Sequence, residues 1–367
     1  MVDFEIFLTG TPGLDDALLA EAQALGFAAS GVPGGVVIDG NWPDVWRANL
    51  QCRGATRVLA RVGSFMAFHL AQLDKRATKF DWAAVLRVDV PVRVEVTSRK
   101  SKIYHAGAAT QRIEKALKDN GFRVEADAPV QIKVRIDDNR VTISVDTSGE
   151  SLHKRGHKVA VNKAPMRETL AALMLRRCGY DGTEPVVDPM CGSGTFVIEA
   201  AEMARGLWPG RSRAFAFMQL ATFDAAGFAD LKAGMSPRPV SGIAFYGSDR
   251  DQGATQMAGQ NAERAGVADL TRFVCQPFSD LQPPDGPRGL VIINPPYGGR
   301  IGKKHMLYGL YAGLGEVLKT RFAGWRVGVV TSEPGLARAM GLPFGDSGPV
   351  IAHGGLKVRL YQTGPLP

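Results

Sequence analysis

The amino-acid sequence predicts an α/β protein in two parts: an α+β region ending in a hairpin at Asp146, then a doubly wound, mostly parallel α/β domain from about Ala164 onward. Three observations carry this. Up to Asp146, short stretches alternate apolar and polar residues, as half-buried strands do, with helical patterns between them. From Ala164 onward, helices alternate with continuous apolar runs, the pattern of strands buried on both faces. Between the two lies a basic stretch, 151–164, with Lys154, Arg155, Lys158 and Lys163 and no acidic residue.

Residues 3–9 alternate as a strand, and Gly13 to Leu25 has helical spacing that Gly26 ends. Val36 to Ile38 is a short strand, Trp42 to Leu50 a helix, Val58 to Phe65 a strand and Asp74 to Trp82 a short helix. Val90 to Thr97 alternates cleanly, and the helix Ala106 to Asn120 closes at Gly121. Val130 to Asp137 and Val141 to Asp146 form a hairpin through Asp138-Asn139. In the second part, the helix Met166 to Arg177 leads into the strand Pro185 to Val187 and the helix Phe196 to Ala204. The strand Gly242 to Gly247, helix Gln252 to Ala265 and strand Leu290 to Ile293 follow, then helix Gly309 to Thr320 and strand Arg326 to Thr331.

A chain of 367 residues with 45% hydrophobic and 8% aromatic residues is long enough for more than one packed core. Its formal charge of +8 is compatible with a polyanionic partner. The N-terminus lacks the basic and apolar regions of a signal peptide, and no window reaches the roughly 18–20 apolar residues of a membrane helix. Cys52, Cys178, Cys191 and Cys275 have no paired spacing, so neither a metal site nor a disulfide framework is expected. These features fit a reduced, soluble, cytoplasmic protein.

Two motifs carry chemistry. Asp188-Pro189-Met190-Cys191-Gly192-Ser193-Gly194-Thr195 follows an apolar strand and opens a helix. Its backbone N–H groups and the helix N-terminus make a nucleotide-type cofactor cradle, and Gly192 and Gly194 permit close approach. The loop lacks the order of a dinucleotide fingerprint and the lysine of a phosphate-binding loop, so by itself it leaves the nucleotide open. Asp188 is placed to attract a cationic cofactor end. The acidic residue that grips a ribose normally lies about 20 residues on. Here Ser248-Asp249 ends the next strand, so Asp249 is the ribose candidate, Asp251 a helix cap, and residues 205–240 an insertion.

Asn294-Pro295-Pro296-Tyr297 follows the strand 289–293. Two prolines fix the loop, the Asn294 oxygen accepts from a planar amine, and Tyr297 offers a stacking face. No strong base is required, because the attacked nitrogen loses its proton after the methyl has moved. Paired in this order, the motifs point to S-adenosylmethionine-dependent methylation of an exocyclic amine on a nucleobase.

Longer strings sharpen this. Thr97 to Ser101, Val145 to Gly156, Ala164 to Glu168, Asp188 to Thr195, Asn294 to Gly298, Leu310-Tyr311 to Leu318-Lys319, Trp325 and Thr331-Ser332 resemble the class I methyltransferases with an N-terminal THUMP domain. Within that family the sequence is similar to the 23S rRNA guanine-N2 methyltransferase group. The resemblance implies a ferredoxin-like region over 1–60, a THUMP-like RNA-binding domain over 61–152, a basic linker over 153–164 and a Rossmann-like methyltransferase domain over 165–367.

It also implies S-adenosylmethionine as cofactor, held by Asp188, Met190, Cys191, Gly192, Ser193, Gly194, Thr195, Asp249 and Asn294. Catalysis then falls to Asn294, Pro295, Pro296 and Tyr297. RNA is the expected partner, rRNA first and tRNA second, with Arg99, Lys100, Lys102, Lys154, Arg155, Lys158 and Arg300 on its phosphates; Lys303 and Lys304 lie just beyond. His105, His153 and His157 are expected to be RNA-facing or structural. Cys275-Gln276-Pro277-Phe278 lacks the family's acidic residue near the adenine, which leaves that contact to backbone or Phe278. Gly299 stands where the family tends to have Glu. The rivals are a tRNA guanine-N2 methyltransferase, a DNA adenine-N6 methyltransferase and a non-catalytic RNA-binding protein.

Overall fold

A computed structural model describes residues 3–158, 166–241, 244–298 and 304–367, with the Lys304 side chain left out. The expectations for Lys163, Ala164-Pro165, the start of the strand at Gly242, Gly299, Arg300 and Lys303 lie outside the described residues.

The chain forms two units. The first comprises Met1–Gly10, Leu19–Leu152 and Arg213–Gly234. Its strands are β1 (Phe4–Thr9), β2 (Ala29–Val32), β3 (Gly35–Gly40), β4 (Arg57–Met66), β5 (Val92–Arg99), β6 (Val130–Asp137) and β7 (Arg140–Asp146). They make one seven-stranded sheet in the order β2-β3-β1-β4-β7-β6-β5. Neighbours are antiparallel except β5 and β6. The alternation in the sequence becomes burial in β6, where Val130, Ile132, Val134 and Ile136 face the core. A bulge between Arg61 and Gly63 bends β4. Gly63 is needed there, because a Cβ would lie 2.4 Å from the Phe80 ring.

Helices α1 (Asp15–Ala24), α2 (Trp42–Gln51), α3 (Leu70–Thr78) and α4 (Ala106–Asp119) interrupt the strands. The third starts earlier than the periodicity indicates, because His69 caps it, and Asp81 opens a separate turn at Trp82.

Residues 213–234, within the expected insertion, belong to this first unit. Phe217 N–H donates to the Thr147 carbonyl (3.0 Å) and Ala221 N–H to that of Val85 (3.0 Å). Phe217, Phe223 and Phe228 surround Trp46 of α2, with centroids 6.0–6.3 Å from the indole.

The second unit comprises Thr11–Leu18, His153–Ser212 and Met235–Pro367. Its strands are β8 (Val186–Asp188), β9 (Phe245–Asp249), β10 (Thr271–Cys275), β11 (Leu290–Ile293), β12 (Arg326–Thr331), β13 (Ile351–His353) and β14 (Leu356–Gln362). The order is β10-β9-β8-β11-β12-β14-β13. The first five are parallel, and β14 runs antiparallel beside β12. The helices after α4 are α5 (Glu168–Arg177), α6 (Thr195–Arg205), α7 (Ala225–Ala233, in the first unit), α8 (Gln252–Ala265), α9 (Lys304–Arg321) and α10 (Pro334–Ala339).

All four residues of β11 are buried, as a strand covered on both faces requires. Val291 and Ile293 join Val187, Val327 and Val329 against Leu307, Tyr311, Leu314 and Leu318 of α9. The strand order reverses between β8 and β11, which makes their carboxyl ends the topological switch point where open α/β sheets bind ligands. This is the doubly wound α/β domain that the alternating pattern predicts.

Candidate active site

Both motifs leave the sheet at that switch point, since β8 ends on Asp188 and β11 on Ile293, one residue before Asn294. The glycine loop is tied to the next strand. Cys191 N–H donates to the Ser248 carbonyl (2.9 Å), and Gly192 N–H to Asp249 Oδ2 (3.1 Å). Asp249 Oδ1 accepts from Asp251 N–H (3.0 Å), while Asp251 caps α8 through Gly253 N–H (2.8 Å). A carboxylate offers about four acceptor positions, so Asp249 retains capacity for ribose hydroxyls.

Gly192 and Gly194 both have positive φ, 52° and 85°. They differ in surroundings. A Cβ at Gly192 would meet nothing within 4 Å, which leaves open space beside the loop, whereas one at Gly194 would press on Ala258 at 3.0 Å and Phe273 at 3.2 Å. The first glycine leaves room at the cradle, and the second lets the helix pack closely.

Asp188 is 3% exposed, and its Oδ1 accepts from Met190 N–H (3.1 Å). Burial pushes its carboxyl up to about 8, with the Asp249 charge adding to the effect. A group so displaced is poised to gain a charge when a cation arrives beside it. Cys191 is buried, and its thiol is pushed up by that burial, so it acts as a small apolar wall rather than a nucleophile. Ser193 is buried and gives its carbonyl to Asn261 Nδ2 (3.1 Å). Met190 and Tyr297 both pack on the cluster under α9.

Asn294 Oδ1 is buried and has no hydrogen-bond partner in the described structure. A buried, unsatisfied acceptor costs about 1–3 kcal/mol. It is held between β11 and the Pro295-Pro296 step, where the chain has no N–H to offer it. An amine presented at the switch point would satisfy it. Phe278 packs on the cluster under α9, with its ring about 3.4 Å from where a Cβ on Gly313 would lie.

The basic residues divide. Arg99, Lys100 and Lys102 are exposed in the first unit, and Lys154 is exposed in the second. Arg155 and Lys158, expected on RNA phosphates, are instead turned into the second unit. Arg155 Nε donates to Glu199 Oε1 (3.1 Å), and both side chains are 1% exposed. Lys158 Nζ lies 3.1 Å from Glu168 Oε1 and donates to Thr195 Oγ1 (2.8 Å) and the Met166 carbonyl (3.0 Å). The carboxylates of α5 and α6 claim these cations before any phosphate can, and Lys158 thereby braces the start of α6 beside the cradle. His157 is likewise buried, 3.7 Å from Glu202. His153 is pushed down to about 4 by burial, and by Arg167, Arg155, Lys154 and Lys158, so it is neutral near pH 7. His105 caps α4 by accepting from Ala108 N–H (3.1 Å).

Sequence reasoning missed Asn261, which clamps the loop carbonyl of Ser193, and Phe273, which wedges between Gly194 and Gly247. Asn261 stands among small residues in α8, a polar position that a solvated face would explain equally well. No group of three or more His, Cys, Asp or Glu residues that could hold a metal occurs among the described residues. No helix there is long and apolar enough to cross a membrane.

Comparison with known proteins agrees with this geometry. Residues 155–346 match the RMKL-like methyltransferase domain, and residues 5–59 the RlmL ferredoxin-like domain. A curated relative, ribosomal RNA large subunit methyltransferase K/L of Syntrophotalea carbinolica, is 34% identical over 360 residues, covering 92% of this chain and 50% of its own. The chain thus spans about half the length of that relative. The solved structure of SMU.472, described as a putative methyltransferase and complexed with SAH, superposes with a TM-score of 0.87 at 26% identity, covering 100% of this chain and 99% of that one. The structure of a predicted N6-adenine-specific DNA methylase from Listeria monocytogenes str. 4b F2365 gives 0.87 at 29% identity, over 100% and 97%. With the switch-point loops, the Rossmann-like sheet and the family match over more than half its length, the chain belongs to the RMKL-like methyltransferase family.

Proposed function

We propose that this chain is an S-adenosylmethionine-dependent RNA methyltransferase acting on the exocyclic N2 of a guanosine, with 23S rRNA as its first substrate. The observation that carries the amine chemistry is the buried Oδ1 of Asn294, unsatisfied among the described residues, on a rigid Pro-Pro loop beside the glycine cradle. When bound, S-adenosylmethionine supplies an electrophilic methyl on a sulfonium sulfur. Asp188 takes the cationic methionine end, Asp249 the ribose hydroxyls, and the 190–195 backbone surrounds the cofactor. Asn294 accepts an N–H of the substrate amine and so orients the nitrogen lone pair, a gain made mostly in geometry. Tyr297 supplies a stacking face for a base taken out of its helix.

The rRNA assignment is supported by the name of the Syntrophotalea relative, and the SAH in SMU.472 supports the cofactor. Residues 1–60 and 61–152 would deliver RNA, and 165–367 the chemistry, with the basic linker 153–164 between them. The name of the Listeria structure favours a second reading, adenine N6 in DNA, since adenine offers the same planar amine.

The test is methyl transfer from labelled S-adenosylmethionine into separate rRNA, tRNA and DNA pools, followed by nucleoside analysis. N2-methylguanosine in rRNA is the expected product. The same product in tRNA alone, or N6-methyladenine in DNA, would replace the reading. Asn294→Ala should lower the rate by at least about a hundredfold while leaving RNA affinity within about twofold, because it removes orientation of the amine rather than RNA binding. Undiminished turnover would remove Asn294 from the mechanism.

A further inference from the structure

The first unit carries a rigid, exposed edge that the site described above does not use. Tyr104 is 85% exposed and Phe68, more modestly, 41%. Lys102 Nζ sits 5.5 Å from the Phe68 ring centroid. The loop that holds Tyr104 is built rather than loose. Lys102 N–H donates to Asn139 Oδ1 (2.8 Å), Asn139 N–H to Ser101 Oγ (3.0 Å), and Ser101 Oγ to the Arg99 carbonyl (2.7 Å). Ser98 Oγ donates to the carbonyl of Ile103, whose side chain is buried and anchors the turn. Ala67 N–H, one residue before Phe68, donates to the Asn139 carbonyl (2.9 Å), so the two exposed rings hang from one hydrogen-bonded corner.

The non-glycine residues with positive φ among those described all lie at this corner: Lys100 (47°), Asp138 (50°) and Asn139 (61°). Such conformations persist where the surroundings over-determine them, and they cluster at functional loops. The exposed charges are Arg99, Lys100, Lys102, Arg135 and Arg140 against Asp138 and the partly exposed Asp137. Asp137 is already engaged, 3.1 Å from Arg99 and 2.6 Å from Arg135. Five cations against two carboxylates leave a net +3 on the edge.

We propose that this corner is a docking surface for single-stranded RNA, on which unpaired bases stack against Tyr104 and Phe68 while Arg99, Lys100 and Lys102 meet the flanking phosphates. The proposal rests on the reading of RNA as substrate and adds a mode of recognition to it. Exposed aromatic faces interleaved with cations match the chemistry of unpaired bases on a phosphate chain. A duplex hides its base faces, so it would engage the cations alone.

The test is equilibrium binding by the full-length chain of a labelled, mixed-sequence single-stranded RNA, with the hybridised duplex and the DNA of the same sequence alongside. Tyr104→Ala should weaken single-stranded RNA binding roughly five- to a hundredfold, Tyr104→Phe should not, and duplex binding should change little. Lys102→Ala should weaken all nucleic acids together and flatten the salt dependence by about one unit of slope. Tyr104 is exposed, so its truncation leaves the fold intact, which circular dichroism checks. Unchanged RNA affinity in Tyr104→Ala, with wild-type protein binding well, would overturn the stacking surface and leave the RNA reading standing. Wild-type protein that binds no RNA would overturn both. A Tyr104→Ala defect confined to capture of a ribosomal protein would assign the corner to that protein and overturn the proposal.

Discussion

Arg155 decides between two uses of the basic stretch. Its guanidinium is 1% exposed beside a Glu199 carboxylate that is equally buried, 3.1 Å away. Removing one partner of such a pair leaves an uncompensated buried charge, which costs about 3–5 kcal/mol. At about 1.4 kcal/mol per tenfold, Arg155→Ala should shift the unfolding equilibrium of the second unit by a factor of at least about 100. Urea unfolding followed by circular dichroism and fluorescence would show this as a lowered midpoint. Removing both charges together, as Arg155→Met with Glu199→Leu, should recover most of the loss, since buried pairs are often replaced by apolar side chains with little penalty. At low urea, RNA affinity of folded Arg155→Ala should stay within about twofold of wild type, because a buried guanidinium meets no phosphate. An unchanged midpoint with weakened, less salt-sensitive RNA binding would refute the burial argument.

Three further outcomes follow, two from the buried Asp188 carboxyl and one from the aromatic cluster. The Asp188 carboxyl sits at about 8 in the folded protein against an ordinary 3.8, so between those values the native state holds a proton that the unfolded chain has lost. Stability without cofactor should therefore fall as pH rises from about 4 to about 8 and level off above, with Asp188→Asn flattening the profile. Cofactor affinity, measured by calorimetry, should rise with pH by up to about tenfold per unit below 8, because binding a cation requires the carboxylate; a flat profile would place the cationic end elsewhere. Phe217, fully buried in the aromatic cluster, should cost the first unit about 3–5 kcal/mol as Phe217→Ala. A lower urea midpoint in the Trp46 signal and faster proteolysis within 213–234 would report it, and wild-type resistance would count against the packing.

The legible parts of this protein are those where one residue type has one use. The run Leu290 to Ile293 has only apolar side chains, and nothing but a buried strand uses four in succession beside a Pro-Pro turn. The alternation in Val130 to Asp137 is legible for the same reason. Two of the edge strands were not, although β5, also at an edge, was. Ala29–Val32 contains Ser30 and Gly31 and is half open to solvent, and Thr271–Cys275 buries none of its residues fully, so neither has a periodic face to display. At the site, the glycines stand out because positive φ restricts what can replace them, and Asp188 and Asn294 because each marks the end of a buried apolar strand. Asn261 and Phe273 act through tertiary contacts that no local pattern records. Arg155 and Lys158 were misread for a related reason. A cation's role depends on where its counter-charge lies, and here that is Glu199 and Glu168, in helices beyond the linker.

The segment 205–240 shows the same limit at the scale of a domain. By spacing it is an insertion between the first two strands of the catalytic sheet, and sequence order would leave it there. Its ring-bearing stretch instead completes the first unit, because Trp46 and the backbone of Val85 and Thr147 offer partners that Phe217, Phe223, Phe228 and Ala221 satisfy. Arg213 fixes the entry to this stretch by donating to the carbonyls of Ser148 (3.2 Å), Glu150 (2.6 Å) and Ser151 (2.9 Å). Clustered aromatic side chains each bury about 150–250 Å², so this stretch is a large share of what holds the first unit's helix α2 in place. A chain that ends at the linker would keep every strand of the first sheet and lose the residues that cover Trp46. The unit's sequence boundary and its core boundary are therefore different things, and only the core boundary sets what must be synthesised before the first unit can close.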